Sequence, residues 1–194
     1  MTSFQNPHKG LHLVMVAIGV AYPFLVYFGL RQFGSIVVGA LLIGLLIARL
    51  FLVRAAGKPR HEYVILLASL VLVAAILPVD GTLALMIYPL TISFGLAAAF
   101  AISLLRPPNV IETFARLMTP DLSAAAIAYT RKVTLVWVVF LVANGLVSAA
   151  TALWGDMEIW VLYNGFISYL LVGALLAGEF VVRQFVKQSH GTAR

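Results

Sequence analysis

Residues 133–182 read VTLVWVVFLVANGLVSAATALWGDMEIWVLYNGFISYLLVGALLAGEFVV, and this stretch decides the fold. Two long apolar runs flank a short polar turn at 155–158. Each run is close to the roughly 20 residues that an α-helix needs to cross a bilayer, and neither alternates as a barrel strand does. The stretch therefore predicts two transmembrane helices joined by a tight turn, over about 133–154 and 159–182.

The same pattern continues toward the N-terminus. Of the 194 residues, 62% are hydrophobic and only 10% are charged, whereas a soluble domain averages about 25% charged residues. This composition excludes an ordinary soluble enzyme and a disordered chain. We expect a single all-α membrane domain over 1–194, a bundle of six transmembrane helices in three hairpins. The other four spans lie at about 11–30, 33–53, 63–79 and 82–105.

Basic residues are distributed unequally between the two sides of this bundle. Six spans place both termini on one side, and that side holds all of the 13 lysines and arginines except Arg31. The positive-inside rule makes that side cytoplasmic. We therefore predict an N-in, C-in, multi-pass protein of the bacterial inner membrane. The net charge of +6 favours contact with anionic membrane lipids. We expect no nucleic-acid partner, because the basic residues are spread over separate loops.

The longest polar segment is the cytoplasmic loop 106–132. Asn109 can cap a short amphipathic helix after Pro107-Pro108, with an apolar face opposite Glu112, Thr113 and Arg116. Such a helix either lies in the membrane interface or packs on the ends of the spans. Thr119 and Pro120 predict the start of the next helix, which then runs without a breaker to Trp154. The candidate cytoplasmic partner surface consists of Arg106, Glu112, Arg116 and Asp121.

Two asparagines lie inside the last two spans. Asn144 is near the middle of the fifth span, and Asn164 is near the outer end of the sixth, with Tyr163 and Tyr169 on the same helix. A lone amide in hydrocarbon needs a hydrogen-bond partner, which is commonly on a neighbouring helix. These four residues therefore form either glue between helices or a polar pocket for a substrate.

Charged and aromatic residues at the span ends give further candidates. Glu179 is the only acid inside a predicted span. With Arg183 one turn on and Arg131 and Lys132 across the hairpin, it forms either an ion pair or a headgroup site. Arg49 is predicted to snorkel to the cytoplasmic interface as an anchor. The remaining prediction is an aromatic belt at the outer turn, formed by Trp154 and Trp160.

Several catalytic motifs are absent. The chain has no cysteine, and it lacks the His-Glu-x-x-His zinc pattern, the P-loop and the Gly-x-Ser-x-Gly elbow. No histidine pair inside the spans can ligate haem, because all four histidines lie at cytoplasmic ends: His8, His12, His61 and His190. We expect no catalytic residue, no cofactor and no metal site, and hence a protein that is not an enzyme.

Residues 106–184 carry a family resemblance. The motifs that carry it include Arg106-Pro107-Pro108, Pro120-Asp121-Leu122, Tyr129-Thr130-Arg131-Lys132, Asn144-Gly145, Tyr163-Asn164-Gly165 and Gly178-Glu179-Phe180. This stretch resembles small inner-membrane proteins of proteobacterial gene clusters for aryl-polyene and similar fatty-acid-synthase-like lipids. The tryptophan-rich last hairpin is also similar to the YciB/septation protein A group. Both resemblances imply a cell-envelope role, and neither brings a catalytic residue.

Two functional hypotheses follow. The first is a non-enzymatic accessory or scaffold protein in cell-envelope lipid or polyene biosynthesis. It would recruit cytoplasmic acyl-chain enzymes or an acyl-carrier protein through 106–132, because carrier proteins are acidic and the segment is basic. The second is a small transporter or flippase for a lipid-like or small-molecule substrate. A deep polar cavity would favour transport, and a sealed apolar bundle would favour the scaffold. The sequence leaves a homo-oligomer open.

Overall fold

A computed structural model describes residues 7–55 and 60–191, and the side chains of 21–55 and 62–184. Within these ranges the chain forms helices and no strand, which confirms the all-α class. The helices are α1 (Pro7–Ala55), α2 (Arg60–Ile76), α3 (Gly81–Met86), α4 (Tyr88–Leu105), α5 (Val110–Met118), α6 (Ala124–Trp154), α7 (Met157–Leu162), a π-helix (Tyr163–Ile167) and α8 (Ser168–Gly191). The four histidine side chains lie outside the described ones.

Four segments are long and apolar enough to cross a membrane: Ala21–Ala55, Gly81–Leu105, Ala124–Trp154 and Met157–Gln184. A shorter apolar helix covers Glu62–Ile76. These lengths are those of a multi-pass membrane protein. The number of six spans and the cytoplasmic position of the termini stay predictions.

The first two apolar runs share α1, which is interrupted at Gly34. Its backbone has φ 76° and ψ 168°, a conformation that suits glycine. A Cβ atom on Gly29 would lie only 2.9 Å from Val38 Cγ2, whereas nine residues of straight helix would separate the two by about 13 Å. The two halves of α1 therefore fold toward each other. The break falls after Arg31-Gln32, at the first residue that tolerates a positive φ.

The starts of α5 and α6, both within 106–132, are set by side-chain caps. Asn109 caps α5 by accepting a hydrogen bond from Glu112 N, which confirms the predicted amphipathic helix. The predicted start of the next helix at Thr119 and Pro120 is wrong. Ser123 Oγ accepts from Ala126 N and begins α6 there. The backbone carbonyl of Pro120 is held instead by Arg116 Nη1 at 3.2 Å.

The core is built around the point where α3 gives way to α4. Pro89 lacks the N–H that would bond Leu85 O in a continuous helix, and the Tyr22 hydroxyl donates to that carbonyl at 2.8 Å. Trp160 Nε1 donates to the next carbonyl, Met86 O, at 3.1 Å. The Trp160 side chain is fully buried. Its assignment to an outer aromatic belt is therefore wrong, while Trp154 is exposed.

Candidate functional site

Asn109 clamps α5 to α6 at the end of the bundle predicted to be cytoplasmic. Its Oδ1 accepts hydrogen bonds from Glu112 N at 2.9 Å and from Thr134 Oγ1 at 2.7 Å. Its Nδ2 donates to Thr130 Oγ1 at 3.2 Å and to Glu112 Oε2 at 3.3 Å. Asn109, Thr130 and Thr134 are all buried. One amide therefore fixes the loop, the start of α5 and two turns of α6.

Glu112 completes this clamp as a buried carboxylate that is only 5% exposed. Arg116 donates to Glu112 Oε1 from Nε at 2.9 Å and from Nη2 at 2.7 Å. Both nitrogens bond the same carboxylate oxygen, so Arg116 holds Glu112 by two charge-assisted hydrogen bonds. Glu112 therefore lies inside the protein rather than on the predicted partner surface. Arg106 and Asp121 of that surface are exposed, and Arg116 is half-buried.

The polar face of α5 packs inward and its apolar face points outward. Glu112 and Ala115 are buried, whereas Phe114 is 62%, Leu117 79% and Met118 76% exposed. This orientation excludes packing of the apolar face on the span ends, one of the two predicted alternatives. Arg131 and Lys132 on α6 are also exposed. An exposed apolar patch on a protein surface is typical of a site for a membrane or a protein partner.

Asn144 connects three helical segments. Its Nδ2 donates to Ser93 Oγ on α4 at 3.0 Å. Its Oδ1 accepts from Tyr163 Oη at 3.0 Å and from Ser168 Oγ at 2.9 Å. Gly145 beside it lets α6 approach Phe94, since a Cβ there would lie 3.0 Å from that ring. Interhelical hydrogen bonds of this kind average about 0.6 kcal/mol in membrane proteins.

Asn164 forms a second buried node in the π-helix. Its Oδ1 accepts from Ser148 Oγ at 2.7 Å, and its Nδ2 donates to Trp160 O at 3.0 Å. Tyr163 and Asn164 of the π-helix contact neighbouring positions on one face of α6. Tyr163 bonds Asn144, and Asn164 bonds Ser148 one turn further on. Among the described residues, no buried side-chain nitrogen or oxygen lacks a partner. The geometry is that of glue between helices, because the oxygen and the nitrogen of both amides already have partners within the protein.

Tyr169 departs from the predicted group. Tyr163 belongs to the Asn144 node, and Asn164 is the centre of the second node. Tyr169, in contrast, is 39% exposed and lies near Tyr88 of α4. Its position follows from helix geometry, since it comes two residues after the π-helix. The structure thus bonds Tyr163 to Asn144, places Asn164 in a separate node and leaves Tyr169 outside both.

Glu179 and Arg183 share the half-buried side of α8, where both lie near Tyr129. Among the described side chains, the ion pairs are Arg31–Glu158 and Arg116–Glu112. The predicted pairing of Glu179 with Arg183, Arg131 or Lys132 is therefore not formed. Arg131 and Lys132 point away from the bundle on the exposed side of α6. The headgroup alternative for these residues stays a prediction.

Arg49 is placed beside α4 of the bundle. It is half-buried and lies close to the Tyr88 hydroxyl. Side chains on a helix lean toward its N-terminus, so an arginine near the end of α1 points back toward the membrane centre. The Tyr88 ring lies 4.7 Å from the ring of Tyr22. The four-residue spacing from Leu45 to Arg49 puts both residues on one face of α1. It is the sequence signal that could have identified the position of Arg49 beside Tyr88.

No protein-family model, curated protein or solved structure matches the chain. The family resemblance of 106–184 therefore rests on the residues quoted above, and the function is argued from the geometry.

Proposed function

We propose that the chain is a non-enzymatic accessory protein of the bacterial inner membrane that recruits cytoplasmic acyl-chain enzymes for cell-envelope lipid or polyene biosynthesis. The observation that carries the proposal is the clamp on α5. It uses the polar face of α5 internally and presents Phe114, Leu117 and Met118 outward. A rigidly held, exposed apolar face is suited to docking, because little ordering entropy is lost on binding.

The proposal includes a six-span topology. In it α1 crosses the membrane twice, with its bend at Gly34 on the outer side, and α2 forms the third span. Both termini and the segment 106–132 then lie in the cytoplasm. The unequal distribution of lysine and arginine supports this arrangement. So does the length of α6, which at 31 residues measures about 46 Å and exceeds the roughly 30 Å hydrocarbon core.

An acyl-carrier protein is the partner that fits the charge of this surface. Carrier proteins are acidic, and the exposed cations of the segment 106–132 include Arg106, Arg131 and Lys132. Complementary charge steers encounter and fixes orientation, while a desolvated apolar centre supplies affinity. The fixed position of α5 would hold the carrier next to the bilayer, where an acyl product is transferred to lipid.

Reversing two charges tests recruitment. The double variant Arg131→Glu/Lys132→Glu should retain about a tenth or less of the acyl-carrier protein that co-purifies with the native chain from native membranes at low salt. Arg54→Glu is the matched control, because Arg54 is an exposed cation outside the segment, and it should co-purify the carrier normally. Equal recovery with the double variant and the native chain would refute the recruitment role.

A small transporter or flippase is the second candidate function. The observation that favours it is an apolar cleft of about 650 Å³ between the two halves of α1. The asparagines do not support a polar path, since Asn144 and Asn164 are engaged in bonds between helices. Transport of a lipid-like molecule would have to use the α1 cleft instead.

A further inference from the structure

The cleft between the two halves of α1 has the dimensions of a binding site for one alkyl chain. Its volume of about 650 Å³ lies within the roughly 300–1,000 Å³ of typical small-molecule sites. It extends from Phe33 to Tyr22, or about 17 Å at 1.5 Å per residue. That depth is close to half of the roughly 30 Å hydrocarbon core, the space that one acyl chain occupies in a leaflet. Leu25 and Leu41 are among the apolar side chains on its two walls.

The inner end of the cleft leads directly to a cation. Val38, Leu42 and Leu45 line the cleft from the second half of α1. Their spacing continues to Arg49, one turn beyond Leu45 and on the same face. On the opposite wall Tyr22 lines the cleft and contacts Tyr88, which lies near Arg49. Arg49 itself is not among the cleft-lining residues, so its guanidinium lies just beyond the inner end of the apolar walls.

Arg49 also differs from the other arginine at this cleft. Arg31, near the bend, is engaged with Glu158 at 3.5 Å and lies over the Tyr27 ring at 4.3 Å. Arg49 lies near the Tyr88 hydroxyl, and among the residues with described side chains no carboxylate forms an ion pair with it. A half-buried cation in an apolar segment is costly unless an anion balances it. A ligand that brings a carboxylate would supply that anion.

We propose that this cleft binds a single-chain fatty carboxylate, with its carboxylate on Arg49 and Tyr88 and its alkyl chain between the two halves of α1. A carboxylate matches the guanidinium, which donates to two oxygens at once. The length and apolar character of the cleft match one chain. This site is separate from 106–132, so it stands or falls independently of the recruitment of a carrier protein.

Photo-crosslinking in phosphatidylcholine nanodiscs tests the site, with a photoactivatable palmitate analogue as the probe. The native protein should crosslink within the cleft-lining part of α1, with saturable dose dependence. Arg49→Gln should weaken apparent palmitate affinity about tenfold or more while leaving a hexadecanol analogue unaffected. Leu41→Trp should fill the cleft and reduce crosslinking of both probes. Arg54→Gln, an exposed cation of the same helix, should behave as the native chain.

Other results would overturn the proposal. Unchanged palmitate affinity in Arg49→Gln would remove the headgroup site. Competition by phosphatidylglycerol as strong as that by palmitate would assign the cleft to a two-chain phospholipid. Crosslinking that does not saturate would mean contact with bulk lipid only. If Arg49→Gln does not fold, Tyr88→Phe provides the second test, since it keeps the ring contact with Tyr22 and should lose part of the palmitate affinity and none of the hexadecanol affinity.

Discussion

Replacing Trp160 with alanine is expected to lower the free energy of unfolding by about 3–5 kcal/mol, as for other fully buried aromatic residues. The substitution removes the largest fully buried side chain in the described part of the chain. It also leaves Met86 O without its side-chain donor. This carbonyl lies at the point where α3 ends and α4 begins. In detergent this should lower the thermal unfolding midpoint by about 10 °C.

Trp154→Ala is the matched control for this substitution. Trp154 flanks the same turn at 155–158 but is 79% exposed, and truncation of an exposed side chain usually changes stability by less than about 0.5 kcal/mol. If the two variants unfold at the same temperature, Trp160 does not organise the core as described.

Replacing Asn109 with leucine should release α5 from α6 and cost about 3 kcal/mol. It removes a helix cap, worth about 1 kcal/mol. It also takes the only described side-chain acceptor from Glu112 N and leaves the buried Thr130 and Glu112 side chains with one partner fewer. Each buried group that loses its partner costs about 1–3 kcal/mol. We expect faster limited proteolysis within 106–132, together with a lower unfolding midpoint.

Thr113→Ala is the matched control for Asn109→Leu, because it removes a polar side chain from the same helix without touching the side-chain bonds of the clamp. The Thr113 hydroxyl donates only to Asn109 O, and the residue is exposed. Proteolysis of this variant should match the native rate. Equal proteolysis of the Asn109→Leu variant and the native chain would contradict the clamp.

Local sequence signals predicted much of the helix architecture. The apolar runs gave the long helices, and Asn109 after two prolines gave the start of α5. Polar residues at 155–158 correctly predicted a turn, where Gly155 adopts φ 80°. These features depend on residues close together in the chain. The start of α6 was missed because Ser123 competes as a cap with Thr119, and a contact from Arg116 decides between them.

Other features depend on partners far along the chain. Amphipathic spacing showed which residues of α5 share a face but not which face is buried. The burial of Glu112 needs Asn109, which in turn is held by Thr130 and Thr134, 21 and 25 residues away. The direction of Arg49 likewise depends on Tyr88 of α4. Neither partner is visible in the periodicity of a single helix.

Recruitment of cytoplasmic enzymes requires the segment 106–132 to lie in the cytoplasm, and cysteine labelling measures its position directly. Because the chain has no cysteine, Asp121→Cys and Asp156→Cys each place one thiol at an exposed position without background. In spheroplasts, a membrane-impermeant maleimide should label Asp156→Cys at once and Asp121→Cys only after the membrane is permeabilised. Labelling of Asp121→Cys in intact spheroplasts would place 106–132 outside and contradict the account.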